Sequence, residues 1–364
     1  MQVVVLIGGF ATRLYPLSYT TPKVFLPIAN EMFIDRLINW FEENGVTDVV
    51  FAINNFASSI SDYLEKIASE NKINIKIKIE TIPLGSGGAL QNCRDLLDNN
   101  FILLNGDILT NLNLNKLLSF HNLSNSFVTA TVSEVKETIH YGILDLIEGD
   151  RAIGWQEKPL PKDAKSNWGN VGAWVINSKI LDYIPKNKFV SLEKEVFPIL
   201  FKEKVPFYGY KFNGYWKDIG TIDKYKQANY DLISQENMNR LINGVEVEKG
   251  FWIEENVVLE KDIIIKPPVI IGKNNHIHSG SVLLGPTIIG ADCKLGPNIK
   301  ICGSILWDKT CVDNNTLIYN SVIASSIIGK ECEINNNCVI SLNSIINNET
   351  KLHCGTIIGP NSII

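Results

Sequence analysis

From Ile253 to Ile364, apolar residues return every six positions. Ile253, Leu259, Ile265, Ile271, Ile277, Leu283, Ile289, Leu295, Ile301 and Trp307 form one unbroken series. After a slip near Val312 and Ile318, the period resumes at Ile328 and runs through Ile334, Ile340, Ile346, Leu352, Ile358 and Ile364. Neither a helix nor an alternating strand has a period of six. A hexapeptide β-helix does, with three short strands per coil and one inward side chain on each. Gly, Asn and Asp follow the apolar positions, as in IIGKNN, IIGADC and LGPN, where corners need left-handed backbone. The period predicts a left-handed parallel β-helix over residues 248–364.

Before residue 232 the texture is different. Val3–Ile7, Asp48–Ile53, Ile73–Ile79 and Phe101–Leu104 read as short buried strands. Between them, Phe33–Glu43, Ile60–Ala68 and Leu90–Leu97 carry apolar residues at helical spacing. This alternation predicts a Rossmann-like, mostly parallel sheet with helices on both faces, occupying residues 1–232. A linker is expected at 233–247. Ligands on such sheets bind at the carboxyl ends of the strands.

A chain of 364 residues suits two domains. A formal net charge of −5 gives no global attraction to nucleic acid or an anionic membrane, so neither is an expected partner. Positive charge for any anionic substrate must therefore be local. The opening run MQVVVLIGG is too short to span a bilayer and reads as a first strand. Seven cysteines, an odd number without a CxxC pair, fit neither a disulfide framework nor a zinc site. A cytoplasmic location is the expectation.

The first strand runs into Gly8-Gly9-Phe10-Ala11-Thr12-Arg13-Leu14, and Pro22-Lys23 follows ten residues later. Glycines after a strand let backbone N–H groups approach phosphate oxygens, and Arg13 adds a planar, charged fork. The same residues also suit a tight connection with incidental charges. Neither GxGxxG nor a Walker A lysine is present.

Taken in order, the segments resemble the sugar-1-phosphate nucleotidyltransferases. GGFATRLYPLS with PKVFLPIAN is similar to that family's GGxGTRLxPLT…PKPLLP. ETIPLGSGGAL, FILLNGD, TIHYGILD, WQEKP, GNVGAW and GYWKDIGTIDKY resemble its later motifs. Two positions depart from the pattern: Ala11 stands where glycine is usual, and Val24 where a second proline is common. Alanine at a position needing positive φ would strain the loop.

The resemblance implies an enzyme that joins a nucleoside triphosphate and a sugar-1-phosphate, releasing pyrophosphate. It implies that Arg13 and Lys23 act on the triphosphate together with Gly8, Gly9 and Thr12. Asp107 and Asp218 would hold Mg²⁺, a cation suited to hard oxygen ligands. Lys158 would meet the sugar phosphate, while Gly142, Glu157 and Asn170 contact the sugar. Gly85 would let the base approach. Glu80 stands where thymidine- and uridine-using relatives place glutamine, and its carboxylate suits the two adjacent donors of guanine. Ser191–Pro198 resembles the SIEKEVFP stretch of mannose-1-phosphate guanylyltransferases. The expected reaction is GTP with mannose-1-phosphate, against a thymidylyl- or uridylyltransferase or a non-catalytic regulatory relative.

An acetyltransferase role for the coils is disfavoured, because His276, His278 and His353 sit in no recognisable acetyltransferase segment. The β-helix is instead expected to build a homo-oligomer without doing chemistry. A chain cut near residue 235 is accordingly expected to keep transfer activity.

Overall fold

The computed structural model describes residues 1–9, 11–54, 57–70, 73–235, 238 and 241–364. Phe10 of the glycine-containing loop and residues 236, 237, 239 and 240 of the expected linker lie outside them. Packing divides the chain into two units, one of 1–10 with 37–218 and one of 11–36 with 219–364.

In the first unit, β1 (Gln2–Ile7), β2 (Asp48–Ile53), β3 (Asn74–Ile79) and β4 (Asn100–Asn105) run parallel in the order β3-β2-β1-β4. Val3, Val4 and Val5 are fully buried, as a continuous apolar strand covered on both faces must be. After β4 the chain makes a short strand, β5 (Ile108–Thr110), and later returns as β6 (Val128–Glu134), β7 (Gly142–Leu146), β8 (Ala152–Glu157) and β9 (Trp168–Asn177). β9 runs antiparallel to β4, β6 and β7, and β8 pairs with β7. β10 (Phe207–Lys211) lies parallel to β6, and β11 (Trp216–Asp218) pairs antiparallel with β5. The expected mostly parallel sheet thus has a parallel core and an antiparallel flank.

Helix α1 (Phe33–Glu43) buries Phe33, Ile34, Leu37, Ile38 and Phe41, one face at helical spacing. Asp35 in its first turn favours the positive end of the helix dipole. α2 (Ala57–Glu70) encloses the helix expected at Ile60–Ala68. The helix expected at Leu90–Leu97 is displaced: α3 spans Gly85–Asn92, and Arg94–Leu96 forms a separate tight turn. Glycine has poor helix propensity, but here tertiary contact overrides it. Gly87 and Gly88 donate their N–H groups to the Val190 carbonyl at 2.8 and 3.3 Å. A side chain on Gly88 would come within 2.4 Å of the Lys188 carbonyl. Two further helices, α4 (Leu114–Leu123) and α5 (Phe197–Lys202), belong to this unit, while residues 33–36 of α1 are grouped with the second.

The second unit holds α6 (Ile222–Ser234) and the coils. Thr221 caps α6 by accepting the Lys224 N–H at 3.3 Å. The coils form three parallel ladders. One stacks Ile253, Ile271, Ile289, Leu306, Ile323, Ile340 and Ile358. The second stacks Ile265, Leu283, Ile301, Ile318, Ile334 and Leu352. The third is broken, with Leu259 on Ile277 and then Leu295, Val312, Ile328 and Ile346.

The reading of Trp307 as inward-facing is corrected by one residue. Leu306 takes that place, and the buried Trp307 instead donates its indole N–H to the Tyr225 hydroxyl at 2.9 Å. The cause is a shortened corner. Between the Leu284–Cys302 and Ile288–Ile305 pairs, one coil has residues 285–287 and the next only 303–304. Gly303 turns there with φ +56°. Many other corners use left-handed Asn and Asp, and several of these side chains bond coil to coil. Asn256 donates to Asn274 at 3.0 Å, and Asn274 to Asp292 at 2.8 Å.

Residues 11–36 are fastened to this unit. Pro27–Ile28 and Glu31–Met32 form a small hairpin around Ala29 and Asn30, both at positive φ. The Ala29 N–H donates to Asn229 of α6 at 2.8 Å, and the Asn30 amide donates to the Ile289 carbonyl at 2.8 Å. Ser341 donates to the Pro16 carbonyl at 3.0 Å.

Candidate functional site

Glu80 follows β3, and its N–H donates to the Ile53 carbonyl at 2.8 Å, so it stands at the carboxyl ends of the parallel strands. It is only 7% exposed. Its Oε2 accepts the Leu84 N–H at 3.1 Å. Its Oε1 lies 3.7 Å from where a side chain on Gly8 would begin, beside the Asn54 amide. Burial raises the Glu80 carboxyl above its ordinary range, and the Leu84 N–H opposes the rise. A desolvated carboxylate with one oxygen committed to backbone leaves acceptor capacity facing the end of β1. Asn54 was not singled out from sequence, since a lone Asn after a strand reads as an ordinary turn residue.

A three-residue ladder makes the backbone positions of Asp107 and Asp218 neighbours. Ile108, next to Asp107, is the direct partner of Asp218 across β5 and β11. Both aspartates are half-buried. Gly106 donates its N–H to the Leu6 carbonyl at 2.9 Å, which ties this turn to the end of β1. A carboxylate in the turn before β5 and one on β11 offer a hard, anionic donor set that fits Mg²⁺.

Gly142 and Glu157 are direct partners across β7 and β8. A side chain on Gly142 would fall 2.1 Å from the Trp155 ring, so only glycine leaves room for the indole. Burial raises the Glu157 carboxyl; Lys158 opposes the rise and the charge of Glu193 adds to it. The Lys158 ammonium lies 3.6 Å from Glu157; its side chain is 58% exposed and is carried on left-handed backbone with φ +51°. Asn170 sits beside an irregularity in β9, where its Oδ1 accepts the Gly172 N–H at 3.2 Å.

Gly85 has a reason of its own to be glycine. Its φ is +69°, and a side chain would meet the Val190 carbonyl at 2.6 Å. The neighbouring Ser86 donates to Glu193 at 2.7 Å, as does Ser191, and the Leu192 N–H donates back to Ser86 at 2.9 Å. The Ser191–Pro198 stretch is therefore locked onto the start of α3. The sequence marks this stretch only by its resemblance and not by this contact, because the partners are over a hundred residues apart.

Thr12, Arg13 and Lys23 belong to the other unit, and Thr12 and Arg13 are exposed. The strain expected at Ala11 is present: its φ and ψ are +49° and +35°. Its carbonyl accepts the Leu14 N–H at 2.9 Å and the Ser18 hydroxyl at 2.7 Å, which hold it there. A left-handed non-glycine residue costs about 1–2 kcal/mol, partly offset by the smaller entropy of alanine in the unfolded chain. Ala11→Gly is expected to stabilise the protein by about 0.5–1 kcal/mol. Chemical denaturation measures this; a lowered midpoint with unchanged slope would show the loop is not strained.

A model of the nucleotidyl transferase family matches residues 2–235, and one of the EIF2B subunit epsilon LbH domain matches residues 248–352. The coils are thus a left-handed β-helix. A UTP–glucose-1-phosphate uridylyltransferase of Synechocystis is 27% identical, over 86% of this chain and 89% of the relative. A mannose-1-phosphate guanyltransferase of Schizosaccharomyces pombe is also 27% identical, over 100% of this chain and 97% of its own. Among solved structures, HddC from Yersinia pseudotuberculosis complexed with GMP-PN is 28% identical with a TM-score of 0.53, covering 63% of this chain and 97% of that one. The first family match takes in well over half of the chain, the parallel core and Glu80, Asp107 and Asp218 included, and the protein belongs to the nucleotidyl transferase family.

Proposed function

We propose that this chain transfers a guanylyl group from GTP to mannose-1-phosphate, giving GDP-mannose and pyrophosphate. The observation that carries the choice of base is the buried Glu80 carboxylate against Gly8. Guanine presents N1–H and a 2-amino group side by side, and a carboxylate accepts from both. The relative from Schizosaccharomyces pombe, matched along nearly its whole length, supports the same substrate pair.

The reaction is an in-line displacement. An oxygen of the sugar phosphate attacks the α-phosphorus, the bond to the bridging oxygen breaks, and pyrophosphate departs with that oxygen. Such transfers need positioning and charge neutralisation more than covalent chemistry. Asp107 and Asp218 would hold Mg²⁺, which when bound draws charge from the phosphate oxygens. In this reading Gly8, Gly9 and Thr12 border the triphosphate, and Arg13 and Lys23 neutralise the pyrophosphate as it leaves. Lys158 takes the phosphate of the sugar substrate. Glu157 and Asn170 contact its hydroxyls, and glycine at 142 keeps that floor flat.

The test is pyrophosphate release with GTP, UTP and dTTP, each against mannose- and glucose-1-phosphate. GTP with mannose-1-phosphate is expected to give the highest kcat/KM. The Synechocystis relative motivates the second reading, UTP with glucose-1-phosphate, and a maximum there would replace the first. No release with any pair would mark a non-catalytic chain.

A further inference from the structure

The β-helix carries a cluster that nucleotidyl transfer does not use. Ile277 points into the coil, so its neighbours His276 and His278 both face outward on the same side. One coil earlier, Val258 and Leu259 pair with His276 and Ile277, and this register sets Glu260 beside His278. The three side chains converge. His276 Nε2 and His278 Nδ1 each lie 2.9 Å from Glu260 Oε1. The two rings are nearly face to face, with centroids 4.1 Å apart and planes tilted by 30°. The other carboxylate oxygen, Oε2, accepts the Ser279 N–H at 2.8 Å, which fixes the carboxylate with Oε1 toward the imidazoles.

We propose that Glu260, His276 and His278 form a binding site for a divalent transition-metal ion of the zinc class. One ligand atom from each residue lies within 4.8 Å of the other two, and this is the one such three-residue grouping of His, Cys, Asp or Glu among the described residues. Ligand atoms around zinc stand roughly 3.2–3.5 Å apart, so the two 2.9 Å histidine–carboxylate contacts need only a small spreading. Two imidazoles and a carboxylate favour zinc, cobalt or nickel over magnesium, which prefers oxygen. The Ser279 N–H supplies the outer support that orients a metal-binding carboxylate.

The position in the fold gives the ion a task. The third ladder of the β-helix is broken between Ile277 and Leu295. An ion held by residue 260 from one coil and residues 276 and 278 from the next clips together the two coils on the near side of that break. Both histidines also line a groove shared with Lys294, Cys311 and Asp313, so the site is reached from solvent.

The experiment uses the full chain, stripped with chelator, dialysed, and titrated with zinc chloride by calorimetry. One zinc ion per chain is expected to bind with a Kd of about 1 μM or tighter. His276→Gln and His278→Gln should each weaken it by about 100-fold, and Glu260→Gln by about 10-fold, while His353→Gln leaves it unchanged. Cobalt should give visible absorption of nitrogen-bound metal in the wild type and lose it in both histidine variants. Zinc affinity unaltered in the His276/His278 double variant, or no saturable site below about 100 μM, would overturn the proposal.

Discussion

Asp107→Asn and Asp218→Asn should each lower turnover by about 10²- to 10⁴-fold while leaving the thermal midpoint nearly unchanged. The expectation rests on the β5–β11 ladder, which makes Asp218 the partner of the residue following Asp107. If these carboxylates hold the cation, amide substitution removes one negative ligand from a site that must bind against water. Charge stabilisation by a bound metal is worth several kcal/mol, and each 1.4 kcal/mol is about tenfold in rate. Asparagine keeps the size of aspartate, so the ladder and its hydrogen bonds survive. Excess Mg²⁺ should recover part of the lost rate if binding is the defect. Single-turnover kinetics at saturating substrates, with circular dichroism as the fold control, measures both effects. A variant with near-wild-type kcat would remove that residue from the metal site.

Much of this was legible because the two domains write different periods into the sequence. Asp48–Ile53 and Phe33–Glu43 were bounded to the residue, since apolar runs and helical spacing are dictated by burial. The six-residue period placed nearly every inward side chain of the coils. It failed at Trp307, where one left-handed glycine turns a corner that the two preceding coils turn with an extra residue. Periodicity counts residues but does not show which corner is short. The start of α3 was missed for the opposite reason. Its glycines are tolerated because Val190 and Lys188, far away in sequence, press backbone against them.

The expectation that a chain cut near residue 235 would keep its activity meets a physical objection. Residues 11–36, which carry Thr12, Arg13 and Lys23, pack in one unit with α6 and the coils. Removing the coils deprives Asn30 of the Ile289 carbonyl and Pro16 of the Ser341 hydroxyl. It also deprives Lys226 of the Asn320 carbonyl and the Asn337 side chain, at 2.8 and 3.1 Å. The β-helix is therefore a scaffold for the segment that the proposed reaction needs for its positive charge. Nothing in local sequence announces this, because the partners are separated by up to 325 residues.

Glu80→Gln is expected to shift nucleotide preference from GTP toward UTP and dTTP by about ten- to a hundred-fold in kcat/KM. Glutamine keeps an oxygen for the Leu84 N–H, so the turn before α3 survives the change. It also replaces one acceptor with a donor. Facing guanine, that donor meets N1–H or the 2-amino group and one hydrogen bond is lost; facing uracil or thymine, it meets O4. A buried polar group left unpaired costs about 1–3 kcal/mol, which corresponds to the expected ratio. The same assignment fixes the sign of a pH effect. Burial raises the Glu80 carboxyl above its ordinary range, so in the free enzyme it takes up its proton at a higher pH than an exposed carboxylate does. Guanine's donors bind the ionised form, and GTP affinity should therefore rise as pH increases through that raised value. Below it, the protonated group offers a hydroxyl to groups that are themselves donors. In Glu80→Gln this rise should vanish, leaving only the titration of the triphosphate. Kcat/KM ratios and KM for each triphosphate from about pH 4.5 to 8 measure both effects, with KM for the sugar phosphate as the internal control. A wild type that already prefers UTP or dTTP, or a pH profile unaltered by the substitution, would remove Glu80 from the base.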